Sequence, residues 1–304
     1  MQPTETIWFN GKLVPWDQAQ THVLSHAIHY GSSIFEGIRS YQTATGIAIF
    51  RLQDHIKRLF DSAKIYRMPL DYSQQQIVRA CKELLSANQL TNAYIRPFAF
   101  FGYGSIGVSP KQCPLEVSIA AFEWGAYLGE DSIEQGVDTA VSSWNRVAPN
   151  TLPSAAKAGG NYLSSQLIVE EYQRHGYQEA IALDARGFVS EGSGQNIFMV
   201  KDNKLITPPS TAAILTGLTR DSVFKLAQTM DLTVQEADIS RESLYLADEL
   251  FFTGTATEIV PIRSVDGLTI GSGRAGNITK QLQQAFFGLF SGETEDQWGW
   301  LDYL

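Results

Sequence analysis

Thiols are scarce in this chain of 304 residues: Cys81 and Cys113 are its two cysteines, and neither belongs to a CxxC pair. That excludes a disulfide scaffold and gives no zinc or dithiol redox motif, so two reduced core thiols are expected. Long apolar runs are also missing. None approaches the ~18–20 residues that cross a bilayer, and the start, Met1-Gln2-Pro3-Thr4-Glu5-Thr6, lacks the basic-then-apolar pattern of a secretory signal. A cytoplasmic protein with no membrane partner is expected. Basic residues are the third shortage: 23 Lys and Arg stand against 32 Asp and Glu, a net charge of −9. Nucleic-acid affinity comes largely from cations that displace counterions, so no nucleic-acid partner is expected.

What is present is enough apolar material for a core, 44% of the residues, which a disordered chain would not carry. The length suits two domains of about 100–200 residues each. Periodicity is lost around Trp124-Gly-Ala-Tyr-Leu-Gly-Glu-Asp-Ser. The expected division is therefore a small N-terminal α/β domain at 1–123, a connection at 124–135 and a larger domain at 136–304.

Local signals fill in several elements. Thr6–Phe9 and Lys12–Val14 flank Asn10-Gly11, a type I′ hairpin turn. Gly46–Phe50 reads as a strand, and Ile56, Leu59, Phe60 and Ala63 share one helical face. Ser73 and Gln76 form a capping box before a second helix. Strands are expected at Ala93–Phe101 and Leu115–Ala120. In the second half a helix runs from about Gly160 to His175, followed by strands at Glu179–Leu183, Gly187–Val189, Asn196–Lys201 and Lys204–Thr207. Further helices are expected to begin at Thr219, Ser240 and Asn277, each with a capping-competent residue.

Several segments could carry chemistry. Gly102-Tyr-Gly104-Ser-Ile-Gly107 matches GxGxxG, but two prolines follow and no helix opens there, so a dinucleotide site is rejected in favour of a glycine-rich loop. His22, His26 and His29 have helical spacing, yet their apolar neighbours read as polar packing and no metal site is expected. Lys157 stands among small residues in Ala156-Lys-Ala-Gly-Gly-Asn-Tyr162, a setting in which desolvation favours a neutral, nucleophilic amine. Glu191, on a glycine-rich bend, could face a cationic group such as a protonated pyridine nitrogen. Leu215-Thr-Gly217-Leu218-Thr219 leads into a helix whose N-terminal N–H groups could hold a phosphate. Phe252-Thr-Gly254-Thr255-Ala256 offers a second turn with exposed amides.

Taken together, His29-Tyr-Gly-Ser-Ser-Ile-Phe-Glu-Gly-Ile-Arg39, Tyr94-Ile-Arg-Pro97, Ser142-Ser-Trp-Asn-Arg146, Ala156–Tyr162 and Glu191-Gly-Ser-Gly-Gln-Asn-Ile-Phe198 resemble the branched-chain amino acid aminotransferases. These share the D-amino acid aminotransferase-like pyridoxal-phosphate fold with D-amino acid aminotransferase and aminodeoxychorismate lyase. The resemblance covers nearly the whole chain. It implies an α+β (mixed α/β) fold of two domains with the active site in the cleft. It also implies transfer of an amino group between L-leucine, L-isoleucine or L-valine and 2-oxoglutarate, giving glutamate and branched-chain 2-oxo acids.

The same resemblance implies the site. Lys157 holds pyridoxal 5'-phosphate and shuttles the substrate α-proton. Glu191 keeps the ring nitrogen protonated, Tyr162 contacts the phenolic oxygen, and Arg58, Leu218, Thr219 and Thr255 hold the phosphate, with Arg58 supplying the fixed charge. Phe35, Tyr30, Tyr127, Trp124 and Val108 wall an apolar pocket, some of them from a neighbouring subunit. Thr255 and Ala256 meet the α-carboxylate, while Tyr94 and Arg96 serve glutamate. At least a dimer is implied, and by likeness a hexamer. The chain departs from the family pattern at Thr216, where proline is frequent, at Gln195, where an acid is common, and across Tyr103–Ile106.

Overall fold

The computed structural model describes residues 2–125, 128–129 and 131–304. Two compact units form: Met1–Trp124 with Ala156–Gly160 and Asp296–Leu304, and Gly125–Ala155 with Asn161–Glu295. The expected division at 1–123, 124–135 and 136–304 misses two returns to the first unit. Leu301–Tyr303 pairs antiparallel with Gly46–Phe50, and Ile34 bridges Ala158. Within the expected connection, Ser132–Gln135 is one short helix.

The first unit is built on an eight-stranded antiparallel sheet. Its order is Leu301–Tyr303, Gly46–Phe50, Ile38–Thr43, Ala93–Phe101, Leu115–Glu123, Thr6–Phe9 and Lys12–Pro15, with Ser33–Phe35 paired to Ala93–Phe101. The Asn10-Gly11 turn takes positive φ at both residues, 46° and 93°, as a type I′ hairpin requires. Helix Leu52–Tyr66 buries Leu52, Ile56, Leu59 and Ala63, and helix Gln74–Ala87 buries Ile77, Cys81, Leu84 and Leu85. The capping box is formed in both directions: Gln76 N–H donates to Ser73 Oγ at 3.2 Å and Ser73 N–H to Gln76 Oε1 at 2.8 Å. Helix Leu52–Tyr66 also carries a polar stripe. His55, Arg58 and Ser62 recur at i, i+3 and i+7, so they share a face. Both His55 and Ser62 are buried.

The second unit has a nine-stranded mixed sheet. The order is Val189–Gly192, Glu179–Leu183, Val137–Val141, Glu258–Val265, Glu249–Gly254, Asn196–Lys201, Lys204–Thr207 and Val234–Glu236, with Leu268–Thr269 at the side of Glu258–Val265. Helices Tyr162–Arg174, Leu218–Thr229 and Asn277–Ser291 pack with it. The strand expected at Gly187–Val189 begins instead at Val189, because Asp184 to Phe188 close a turn: Gly187 N–H donates to Asp184 O and Asp184 N–H to Phe188 O.

Two helices begin as expected, at Asn277 and within one residue of Thr219, but their caps differ from expectation. Leu218–Thr229 and Asn277–Ser291 are each preceded by a glycine at the N-cap, Gly217 and Gly276, which offers no side-chain acceptor. The second is capped from a strand 28 positions earlier: Glu249 accepts from Ile278 N–H at 3.0 Å and Thr279 N–H at 2.8 Å. A carboxylate there also meets the positive end of the helix.

Candidate active site

In the first unit the site begins with Glu36, directly after strand Ser33–Phe35. Its side chain is completely buried and accepts three hydrogen bonds: Arg58 Nε at 2.7 Å, Arg58 Nη2 at 2.8 Å and His55 Nδ1 at 2.8 Å. Burial alone would raise the Glu36 carboxyl. The charge and fork of Arg58, with the His55 bond, outweigh it and hold the carboxyl well below the ordinary carboxylate range. Burial lowers His55, which the Glu36 bond only partly offsets. Arg58 was the expected source of fixed charge for the phosphate. Its guanidinium here forms a charge-compensated pair with Glu36, and two of its five N–H donors are set by the bidentate fork.

One turn along the same helix, Ser62 Oγ accepts from Lys157 N–H at 3.0 Å, and Lys157 O accepts from Phe35 N–H at 2.9 Å. Both backbone groups of the lysine are thereby fixed by the unit that carries Arg58. The half-buried Lys157 places Nζ 4.8 Å from the centroid of the Phe35 ring. Arg96 lies over the same ring at 4.7 Å and over Tyr94 at 5.1 Å, and its Nη2 donates to Tyr94 Oη at 3.0 Å. Trp124 completes the cluster, edge-on to Tyr94 at 4.4 Å. Arg96 Nε is buried with no hydrogen-bond partner in the protein. Phe35, Tyr94, Arg96, Trp124 and Lys157 are thus gathered in one cluster.

Tyr30 and Val108 stand elsewhere in this unit. Tyr30 Oη donates to Ile106 O at 2.7 Å, and the buried His26 donates from Nε2 to Gly107 O and Val108 O at 3.1 and 3.2 Å. These bonds hold the glycine-rich loop, where no helix opens. Of the three expected helical histidines, His26 and His29 lie in helix His26–Tyr30, and His22 precedes it. Among the described residues no three His, Cys, Asp or Glu are grouped to hold a metal ion. Tyr127 lies outside the described residues.

The second unit carries the carboxylate and the turns. Glu191 is buried at the end of strand Val189–Gly192, not exposed on the bend. Its Oε1 is 2.7 Å from Arg146 Nη2, and its Oε2 accepts from Asn196 Nδ2 at 3.0 Å and from Leu215 N–H at 3.1 Å. Arg146 is in turn held by Ser165 Oγ, which accepts from Nη1 at 3.2 Å. The bend after Glu191 is pinned by the fully buried Glu179, which accepts from Ser193 Oγ and Gln195 Nε2. Burial, only partly offset by these bonds, pushes the Glu179 carboxyl up. A carboxylate at position 195 could not donate that bond, which gives the unusual Gln195 a structural role. Thr219 is buried in the first turn of helix Leu218–Thr229, Leu218 is half-buried beside it, and Thr255 and Ala256 are half-buried in the turn after strand Glu249–Gly254. Tyr162 opens helix Tyr162–Arg174.

The donors within each unit suit parts of pyridoxal 5'-phosphate. Arg146 Nε and Thr253 Oγ1 are among the buried polar atoms of the described residues that lack a protein partner; Thr253 is paired across the sheet with Asn196, so their side chains share a face. Such orphans cost about 1–3 kcal/mol each unless a ligand or water serves them. In the second unit a helix start capped by glycine suits a phosphate and a buried carboxylate suits a cationic ring nitrogen; in the first unit a primary amine suits an aldehyde.

Glu36, His55, Ser62, Arg146 and Asn196 were not singled out from the sequence. Glu36, Arg146 and Asn196 do lie inside the motif segments quoted above, which was the available signal; His55 and Ser62 carried only their spacing from Arg58.

Residues 33–265 match the family described as amino-transferase class IV. The chain is 58% identical over 299 residues to the branched-chain-amino-acid aminotransferase of Escherichia coli strain K12, covering 98% of this chain and 97% of that one. A crystal structure of the E. coli branched-chain amino acid aminotransferase superposes with a TM-score of 0.97 at 58% identity, covering 98% of this chain and 99% of that chain. The branched-chain amino acid aminotransferase of Thermobaculum terrenum, solved in its PLP-bound holo-form, gives a TM-score of 0.92 at 35% identity, with 99% of this chain and 98% of that chain covered. With the family match spanning residues 33–265 and the likeness running from end to end, this chain belongs to the class IV aminotransferases, among their branched-chain-amino-acid members.

Proposed function

We propose that the protein is a pyridoxal-phosphate-dependent branched-chain amino acid aminotransferase, moving the amino group of L-leucine, L-isoleucine or L-valine to 2-oxoglutarate in two half-reactions. The observation that carries the substrate reading is the Phe35 ring, which has the Lys157 amine and the Arg96 guanidinium within 5 Å of its centroid. An apolar wall with a cation beside it accepts a branched side chain in one half-reaction and a second carboxylate in the other. Single methylenes are worth only ~1–3 kcal/mol in such a pocket, so all three branched substrates are used.

Pyridoxal 5'-phosphate, when bound, supplies an electron-withdrawing ring that stabilises the electron pair left by loss of the α-proton. The chain's own residues do the rest. Lys157 Nζ is the attachment point and the base that holds and returns the α-proton. Glu191, aimed by Arg146, Asn196 and the Leu215 N–H, accepts the ring nitrogen's N–H. Tyr162 donates to the phenolic oxygen. Arg58, aimed by Glu36, would hold the phosphate, as would Leu218, Thr219 and Thr255, and the Thr255-Ala256 turn would take the substrate carboxylate. Tyr94 and Arg96 orient glutamate.

The test is purified protein with the cofactor, L-leucine and 2-oxoglutarate, followed by glutamate formation. Activity with L-leucine and none with D-leucine is expected. Activity confined to D-amino acids, or pyruvate release without a keto-acid acceptor, would move the chain to a D-amino acid aminotransferase or to a lyase.

We also propose a homo-oligomer, at least a dimer, in which Tyr30 and Val108 serve a neighbouring copy. An exposed apolar patch supports this: Val23, Ile28, Ile106 and Val108 are 59–78% exposed, and the loop that carries two of them is held by His26 and Tyr30. Monomers rarely leave such a patch uncovered. Sedimentation at micromolar concentration should give a dimer or a multiple such as the hexamer, and Ile106→Glu should shift it to monomer; a native monomer refutes the reading. Two free thiols suit the cytoplasm, where we place the enzyme. Among the described residues no helix is long and apolar enough to cross a membrane.

A further inference from the structure

Asn196 makes three hydrogen bonds through one side chain. Its Nδ2 donates to Glu191 Oε2 at 3.0 Å and to Leu215 O at 2.9 Å, and its Oδ1 accepts from Gly217 N–H at 3.1 Å. A fourth bond closes the loop, from Leu215 N–H to the same Glu191 oxygen at 3.1 Å. The amide therefore spans the carboxylate at the end of strand Val189–Gly192 and the turn that starts helix Leu218–Thr229. Both of its polar ends are used, in the one orientation that satisfies two acceptors and a donor. The fit is close: a Cβ at Gly217 would lie 2.2 Å from Asn196 Oδ1, so no side chain can stand there without displacing the amide. Asn196 is itself fixed, buried in a strand paired with Glu249–Gly254 on one side and Lys204–Thr207 on the other.

We propose that Asn196 is a positioning residue that sets the separation between the two cofactor-holding elements of this unit, the ring-nitrogen carboxylate Glu191 and the phosphate turn at Gly217–Thr219. This rests on the cofactor reading above and adds a physical coupling to it. A cofactor of fixed length can satisfy a carboxylate at one end and helix N–H groups at the other only if their spacing is held to within a few tenths of an ångström. Glu191 and the turn belong to different elements, joined in sequence by more than twenty residues. The amide connects them directly. A loss at one end should then loosen the other, which separate anchoring of the two elements would not produce.

The experiment is a set of titrations of the full chain with pyridoxal 5'-phosphate and with pyridoxal, which lacks the phosphate, read by absorbance and fluorescence. Glu191→Gln weakens the ring end and Thr219→Ala the phosphate end. In the native background their combined effect on the phosphate-bearing cofactor's dissociation constant should fall short of the product of the single effects by about five-fold or more, as in other connected networks. In an Asn196→Ala background the two effects should multiply to within about two-fold. The same shortfall in both backgrounds, or none in the native chain, overturns the proposal. Asn196→Asp guards against loss of folding in the alanine variant. It keeps the acceptor for Gly217 N–H and removes both donations, so preference for the phosphate-bearing form should persist while the effect of Glu191→Gln diminishes. Loss of both together overturns the assigned roles. A native chain that binds neither compound overturns the cofactor reading itself, and this proposal with it.

Discussion

Lys157→Ala is expected to lower transamination of L-leucine by at least ~10³-fold, the upper part of the range for removing a positioned acid–base group, and to abolish covalent retention of the cofactor. The two losses have one cause, because the same Nζ attaches the cofactor and carries the proton. The variant should fold. What secures this segment is backbone: Lys157 N–H to Ser62 Oγ, Phe35 N–H to Lys157 O, and the bridge between Ile34 and Ala158. None of these needs the side chain. A thermal midpoint equal to that of the cofactor-free native chain, with cofactor that washes out on gel filtration, is the expected pattern. Cofactor that survives denaturation and mass spectrometry as a covalent adduct in Lys157→Ala would show that another amine is the attachment point.

Glu36→Gln is expected to destabilise the first unit by about 3–5 kcal/mol, the cost of leaving one partner of a buried ion pair uncompensated. Glutamine keeps the shape, so the loss reports charge. In the variant Arg58 retains its positive charge in a site where its side chain is 13% exposed, without the carboxylate that balanced it. A denaturant midpoint corresponding to less than about 1 kcal/mol would place the pair with ordinary surface bridges and refute the assignment.

The pH dependence gives a second reading of the same residues. The folded Glu36 carboxyl is held below its ordinary value of 4.5. Its contribution is therefore complete above that value and is lost as the pH falls below it, because the unfolded chain takes up the proton first. His55 is lowered from 6.5. Its folded form resists protonation, so stability also falls as the pH drops below 6.5. Native protein should lose stability in both windows on acidification. Glu36→Gln should keep the loss that begins near 6.5 and show a smaller one below 4.5, because Asp138, Glu171, Asp248 and Asp266 are also held low and still contribute there.

Local chemistry explains which elements were legible beforehand. The Asn10-Gly11 hairpin, the Ser73–Gln76 capping box and the Ile56, Leu59, Phe60, Ala63 face depend on residues within a few positions of one another, and the structure has each where expected, with Phe60 half-buried at the edge of its face. Strands Glu249–Gly254 and Glu258–Val265 were not recognised. They are buried along most of their length on both faces, so the alternation that marks a half-buried strand is missing from them.

The candidate reacting groups were legible in two ways: Lys157 and Glu191 stand out by their surroundings, small residues and a glycine-rich bend, while Arg58, Tyr94 and Arg96 come from the resemblance, because motif likeness preserves identity. What holds them in place was not legible. Arg146 reaches Glu191 from 45 positions away, Glu249 caps the helix at Asn277, and Leu301–Tyr303 joins the sheet of the first unit.

By itself, then, the sequence determined the family, the cofactor class and the groups we assign to the chemistry, since those depend on which residues exist at which motif positions. Only the tertiary structure decided how each group is aimed and neutralised: Arg58 by Glu36, Glu191 by Arg146 and Asn196, Lys157 by Ser62 and Phe35. Hydrogen bonds and ion pairs act over about 3 Å, and no spacing along the chain reports which distant residues folding will bring that close.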